Sequence, residues 1–220
     1  MLSSKLSIIL VSFLTFSITL GGDRLKLPYP NYKGGVSLEE AIYKRRSIRD
    51  FSEKKLTLEQ ISQLLWAAQG ITDNRYGFRT APSAGATYPF DVYIIVDRVD
   101  KLDSGIYRYI PQDHLLENIE KGRFNKILAD FALGQDAIAQ APVNILLSAV
   151  YERTTSRYGK RGIMYVHIEA GHIAQNIHLQ AVTLGLGSVP IGAFYPEKIK
   201  SRFNLPGEPL YIIPVGYPER

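Results

Sequence analysis

The chain has 220 residues, 45% of them hydrophobic and 21% charged, enough apolar content and length for one substantial core. Its 26 basic and 21 acidic residues leave a net charge of +5, too small an excess to imply a nucleic-acid or anionic-surface partner from the total alone. It contains no cysteine, which excludes disulfides, thiolate catalysis and cysteine-ligated zinc or iron–sulfur sites.

The first element is MLSSKLSIILVSFLTFSITLGGD. One basic residue, Lys5, precedes an uncharged run from Leu6 to Leu20, and Gly21-Gly22 follow. This reads as a signal-peptide core or weak anchor, giving a membrane-associated or exported protein. The run is shorter than the ~20 residues of a spanning helix. The alternative is a misassigned start and a cytoplasmic protein. Residues 1–22 are therefore set apart from the folded domain, 23–220.

RLKLPYPNYKGGV, 24–36, reads as an extended lead-in. Ser37 with Glu40 three residues on is a capping-box pattern, predicting a helix from about Leu38 to Ser47 with RRSIRDF, 45–51, at its end. Thr57 opens a second helix, where Ile61, Leu64, Leu65 and Ala68 form an i, i+3, i+4, i+7 stripe and Gly70 ends it. The polar stretch 71–89 reads as a link containing PSAGATYP. DVYIIVD is a strand, and GIYRYI with HLLENI a hairpin around Pro-Gln-Asp. A helix is expected near 123–140, then the strand VNILLSAV. After the basic, aromatic patch 151–165 come the longest helix, about Met164–Leu184, the strand GSVPIGAF, the helix PEKIKSRF and the strand LYIIPVG. The order implies α/β or α+β around one sheet.

Several chemistries lack their residues. Glu169 and His172 form an E-x-x-H pair, but no second pair accompanies it, and His172 and His178 are wrongly spaced for one helical face, so no metal site is expected. There is no G-x-S-x-G elbow and no P-loop. GLGSVP runs from helix to strand, the wrong order for a Rossmann pocket. The basic clusters 44–49 and 153–161 lie about a hundred residues apart, which argues against a nucleic-acid surface. Arg45, Arg46, Ser47 and Arg49 remain. They suit either an anion, gripped by guanidinium forks and a hydroxyl, or a helix C-terminus, whose dipole favours basic residues.

RRSIRDF, PSAGATYP, QAPVNILL, EAGHIAQNIHLQAVTLGLGSVPIGAF and the closing YIIPVGYP resemble, in that order, the nitroreductase-type FMN enzymes. PSAGATYP, GIYRY and EAGHIAQN are most similar to the SagB-type dehydrogenase branch, which includes azoline oxidases acting on modified peptides. The resemblance covers residues 37–220. It implies an α+β fold, a mainly antiparallel central sheet flanked by helices, and an FMN cleft at a homodimer interface. It assigns Arg45, Ser47 and Arg49, with Arg46, to the FMN phosphate and neighbouring polar groups, and Pro82, Ser83, Ala84 and Gly85 to the ring, from the partner subunit. Gly192 and Ala193 match the ring-edge stretch, Gln135 a polar flavin contact, and Arg220 the C-terminal phosphate ligand.

Ala86 and Tyr88 replace the Asn and Gln of many nitroreductase loops, which favours the SagB-type branch. Tyr158, Lys160, Arg161 and Tyr165 resemble that branch's basic, aromatic active-site segment and are the catalytic candidates. The implied reaction is hydride transfer through flavin N5, from NAD(P)H or an azoline-type substrate to a nitro compound, quinone or oxygen. A flavin-binding protein without turnover and a nucleic-acid binder are the alternatives. Expected partners are a small-molecule or modified-peptide substrate and a second copy of the chain.

Overall fold

The computed structural model describes residues 23–219. The signal-like segment 1–22 and Arg220 lie outside the described residues.

Strand β1 (Arg24–Lys26) comes out of the expected lead-in. Helix α1 (Leu38–Lys44) starts where Ser37 Oγ accepts the Glu40 N–H at 3.1 Å. It ends three residues before the expected stop, because Arg45 already has an extended ψ of 125°. The arginine cluster therefore follows the helix instead of occupying its last turn. Helix α2 (Leu58–Gln69) has a reciprocal capping box between Thr57 and Gln60. A small separate hairpin, β2 (Ile71–Asp73) and β3 (Phe78–Arg79), forms within the stretch expected to be a link.

Strands β4 (Phe90–Val96), β5 (Gly105–Ile110) and β6 (Leu115–Lys121) follow. The expected 123–140 helix divides into α3 (Asn125–Phe131) and α4 (Asp136–Gln140). The cause is a left-handed pair, Leu133 at φ 60° and Gly134 at φ 73°, with the Gly134 N–H closing onto Ala129 O at 2.8 Å. Strand β7 (Val143–Ala149) leads into α5 (Glu152–Tyr158) and α6 (Arg161–Thr183). The basic patch is thus mostly helical, and α6 begins earlier than the apolar pattern suggested. Strand β8 is only Gly187–Ser188, although GSVPIGAF reads as a full strand; Pro190 has no N–H to donate, and the chain rejoins the sheet at one bridge, Ile191 to Ile212. Helix α7 (Pro196–Arg202) and strand β9 (Glu208–Gly216) close the chain.

The large sheet has seven strands in the order β1-β6-β5-β4-β7-β9-β8, with every pairing antiparallel. Helices cover both faces, so all seven residues of β4 are buried. Val92, Ile94 and Val96 pack with Leu64, Leu65, Ile173 and Ile177 of α2 and α6. Tyr93 and Ile95 point the other way, into Leu128, Ile138, Ile199 and Phe203. Each fully buried aliphatic side chain contributes roughly 1.5–3 kcal/mol. The fold is α+β with the antiparallel sheet flanked by helices, as expected.

Candidate active site

The extended course of residues 45–49 sorts the cluster. In extended chain, alternate residues share a face. Ser47 bridges Ser188 in parallel fashion, and the Ile48 N–H donates to Ser188 O at 3.0 Å. Ile48 turns inward onto Gly187. Arg45, Ser47 and Arg49 alternate with Arg46 and Ile48; Arg46, Ser47 and Arg49 are exposed and Arg45 is half-buried. Arg46 does something else: its Nη1 donates to Tyr43 O at 2.9 Å and to Arg45 O at 2.7 Å, closing the carbonyl end of α1.

Helix α6 supports this segment from below. Buried His178 places Nδ1 2.7 Å from Ser188 Oγ. Burial, with the Arg45 charge adding to it, pushes the imidazole down to about 4. His178 is therefore a neutral hydrogen-bonding strut at neutral pH. Beyond Ser188 the chain runs to Gly192 and Ala193, both exposed. Gln135 Nε2 donates to Ala193 O at 2.9 Å and to Ala132 O at 3.0 Å. One strip thus joins the Arg45–Arg49 face, Ser188, Gly192, Ala193 and Gln135.

A second group forms around the PSAGATYP loop. Residues Ala84–Ala86 make a single 3-10 turn with Gly85 at φ 60°. Ala86 and Tyr88 are also left-handed, at φ 53° and 44°. Such positions cost of order 1 kcal/mol or more for residues with a Cβ and persist only when their surroundings hold them. Here Ser83 Oγ accepts the Tyr88 N–H at 2.9 Å, Thr87 Oγ1 meets Thr154 Oγ1 at 2.7 Å, and the Tyr88 hydroxyl accepts the Arg79 N–H at 3.2 Å. Arg157 Nη1 reaches Gly85 O at 3.3 Å. Tyr158 and Tyr165 pack edge to face, 5.2 Å between centroids, both half-buried, while Lys160 and Arg161 are exposed beside them. Of the catalytic candidates, Tyr158 lies against the loop that carries Pro82, Ser83, Ala84 and Gly85, its hydroxyl within 2.5 Å of where a Gly85 Cβ would stand, and Tyr165 packs on Tyr158.

Behind this loop lies a network missing from the expected site. Buried Glu169 accepts from Gln69 Nε2 at 3.4 Å, and Gln69 Oε1 accepts from Arg79 Nη1 at 3.0 Å. Burial raises the Glu169 carboxyl to about 7, opposed by hydrogen bonds from Ser83 and Gln69 and by the Arg79 charge. In the sequence Glu169 stands out only as half of an E-x-x-H pair; in the fold His172 is exposed while Glu169 is buried. The available signal was a carboxylate at a core position, three residues after Val166 and four before Ile173. Among the described residues no group of three or more His, Asp or Glu is arranged to hold a metal.

The two groups are spread along α6. Tyr165 and His178 are thirteen residues apart, about 20 Å at 1.5 Å per residue. Asn176, two residues from His178, donates through Nδ2 to Thr80 O at 3.3 Å, at the start of the loop segment.

The pattern of the nitroreductase family matches residues 42–217. A Methanocaldococcus jannaschii protein with a provisional nitroreductase name is 45% identical over 195 residues, covering 89% of this chain and 98% of that one. The microcin B17-processing protein McbC of Escherichia coli is 25% identical over 162 residues, 71% of this chain and 60% of that protein. The crystal structure of a Ralstonia eutropha protein, also provisionally named a nitroreductase, superposes with a TM-score of 0.80 at 29% identity, covering 90% of both chains.

Proposed function

The chain belongs to the nitroreductase family, and from that premise we propose that it is an FMN-dependent oxidoreductase working as a homodimer. The observation that carries the reading is the Ser47–Ser188 bridge, which sets Arg45, Ser47 and Arg49 beside the chain that runs on to Gly192 and Ala193. Two guanidiniums and a hydroxyl, near the surface, fit a phosphate monoester better than a neutral ligand. The exposed Gly192 and Ala193 leave room for a flat ring to approach backbone.

FMN, when bound, supplies hydride acceptance and donation. The chain's own residues bind, orient and exclude water. Arg45, Ser47 and Arg49 hold the phosphate. Gln135 fixes the Ala193 carbonyl and so the direction of the neighbouring backbone, whose N–H groups can receive negative charge. Pro82–Gly85 of a second copy cover the ring. The Tyr158 hydroxyl and Lys160 are the groups placed to hold or accept a substrate proton.

One observation supports the dimer: α6 exposes Ile163, Met164 and Ile168. Similarity to McbC supports a modified-peptide substrate, oxidised at an azoline-type ring; NAD(P)H as donor and a nitro compound, quinone or oxygen as acceptor fit the wider family.

The test is purification followed by an absorption spectrum and FMN titration. The expected result is a flavin band, bleached by NAD(P)H or an azoline peptide and restored by an acceptor. A colourless protein that leaves added FMN fluorescence unquenched overturns the proposal. A band that no donor bleaches leaves a flavin-binding protein without turnover.

A further inference from the structure

On the Tyr88 side of the loop lies a cavity of about 330 Å³, bounded by Arg79, Tyr88, Asp91, Arg108, Tyr109 and Arg153. We infer that it is an oxyanion site, taking a small ligand that bears a carboxylate or phosphoryl group, distinct from the Arg45–Arg49 face.

The argument begins with charge. Asp91 is buried, and two guanidiniums share its carboxylate: Arg108 Nη2 at 3.1 Å, and Arg153 through Nη1 at 3.1 Å and Nη2 at 3.0 Å. The third guanidinium, Arg79, meets no carboxylate among the described residues. Its Nη1 donates to the neutral amide oxygen of Gln69, and its carbon stands 4.3 Å from the Tyr88 ring centroid. Three cations against one carboxylate give 3 − 1 = +2 around one cavity.

The surroundings offset part of this excess without cancelling it. Glu117, which pairs with Arg24 at 2.9 Å, also stands opposite Arg108 in the β5–β6 register. Against burial, Asp91 and Glu117 hold Arg108 above its ordinary value, so the charge left without an acid is that of Arg79. Glu169 lies on the far side of Gln69 and is drawn towards its neutral form by burial. Burial also raises the phenols of Tyr93 and Tyr109, so neither supplies an anion at neutral pH. Arg79 itself is lowered mainly by burial, with the Arg153 charge acting in the same direction. The Nε atoms of Arg79 and Arg108 are buried without an acceptor. Clustered, partly desolvated like charge is unfavourable, and an entering anion with several lone pairs relieves it.

The excess positive charge excludes a cation, and the charged walls disfavour a purely apolar ligand. Planar guanidiniums around one space suit a two- or three-oxygen head group. Arg153 also approaches the Tyr88 and Pro89 carbonyls, each at 3.4 Å, which ties the cavity to the end of the PSAGATYP loop.

The test is isothermal titration of inorganic phosphate, and separately of succinate, into the full-length FMN-saturated protein at constant ionic strength. Wild type, R79Q, D91N and R45A are compared. At least one anion should bind with one-to-one stoichiometry. R79Q should weaken it roughly ten-fold or more, the loss of a charge-assisted hydrogen bond. D91N, which raises the cavity's charge, should tighten it, and keeps the test decisive if R79Q does not fold. R45A should leave it unchanged. Preference for phosphate identifies a phosphoryl ligand, and preference for succinate a carboxylate. No binding of either anion to wild type, binding lost in R45A, or affinity untouched by R79Q and D91N overturns the site. None of these outcomes depends on whether the protein turns over.

Discussion

Gly187 and Ile48 are in direct backbone-to-side-chain contact: a Cβ on Gly187 would stand 2.6 Å from the Ile48 Cβ and 2.7 Å from its Cγ2. This contact seats the arginine segment against β8. Gly187→Ala should therefore destabilise the protein by about 1–3 kcal/mol, the usual cost of overpacking. It should also weaken FMN binding, because the Arg45–Arg49 face moves with Ile48. Urea midpoints and flavin titration check both effects. Ile48→Ala should relieve only part of this cost, since truncation removes Cγ1 and Cγ2 but leaves the closest atom, the Ile48 Cβ at 2.6 Å.

Gly85 has a second, different requirement. Its φ is +60°, and a Cβ there would lie 2.5 Å from the Tyr158 hydroxyl oxygen. Gly85→Ala adds about 1 kcal/mol of backbone strain and displaces Tyr158. The expected result is a small fall in melting temperature with a larger fall in turnover. A turnover loss no greater than that of an inert loop variant of equal stability would remove Tyr158 from the chemistry.

The arginines should separate in a flavin-quenching titration. Arg45→Ala or Arg49→Ala should weaken FMN roughly ten-fold or more, as expected for a lost charge-assisted contact. Arg46→Ala should change affinity little and cost only a few tenths of a kcal/mol at the end of α1. Equal effects at all three positions would contradict the parity of the extended segment.

The pH profile carries two opposed slopes. Glu169 is raised from 4.5 to about 7, so its stabilising contribution is full below pH 4.5 and lost as pH rises through about 7. His178 is lowered from 6.5 to about 4, so its contribution is present above pH 6.5 and lost as pH falls through about 4. Each amounts to about 3 kcal/mol, and they oppose one another between pH 4.5 and 6.5. Relative to wild type, Glu169→Gln should make stability rise more steeply with pH across that window. His178→Asn should tilt it the other way. Chemical denaturation at half-unit pH steps reads both slopes.

Dimer formation is open to a one-residue test. Ile168 is 47% exposed on α6. Ile168→Asp should yield monomers by light scattering and lose FMN in parallel, while the monomer stays folded by circular dichroism. A dimer that persists with its flavin would move the interface elsewhere.

Local order was largely legible along the chain. Ser37 with Glu40 and Thr57 with Gln60 marked helix starts, because orphan N–H groups at a helix end need acceptors at those spacings. DVYIIVD and LYIIPVG declared strands through β-branched residues, and Leu133-Gly134 hid a break inside one expected helix because left-handed backbone at a leucine has no compositional signal.

The sequence by itself determined most of the helix and strand positions and the residues of the Arg45–Arg49 segment, because local propensity and residue chemistry are written position by position. By propensity alone it left α/β and α+β open, and the antiparallel order rested on the family resemblance until strand pairing decided it. Only the tertiary structure decided the roles of those residues. The end of α1 at Lys44 set Arg46 apart from its neighbours, the fold laid His178 under Ser188, and it buried Glu169 behind the loop with Gln69 and Arg79. The cavity's charge excess joins Arg79, Asp91, Arg108 and Arg153, spread over 75 positions of chain and brought to one place by sheet pairing and the packing of α5. Burial and long-range charge are properties of the packed molecule, and no local pattern encodes them.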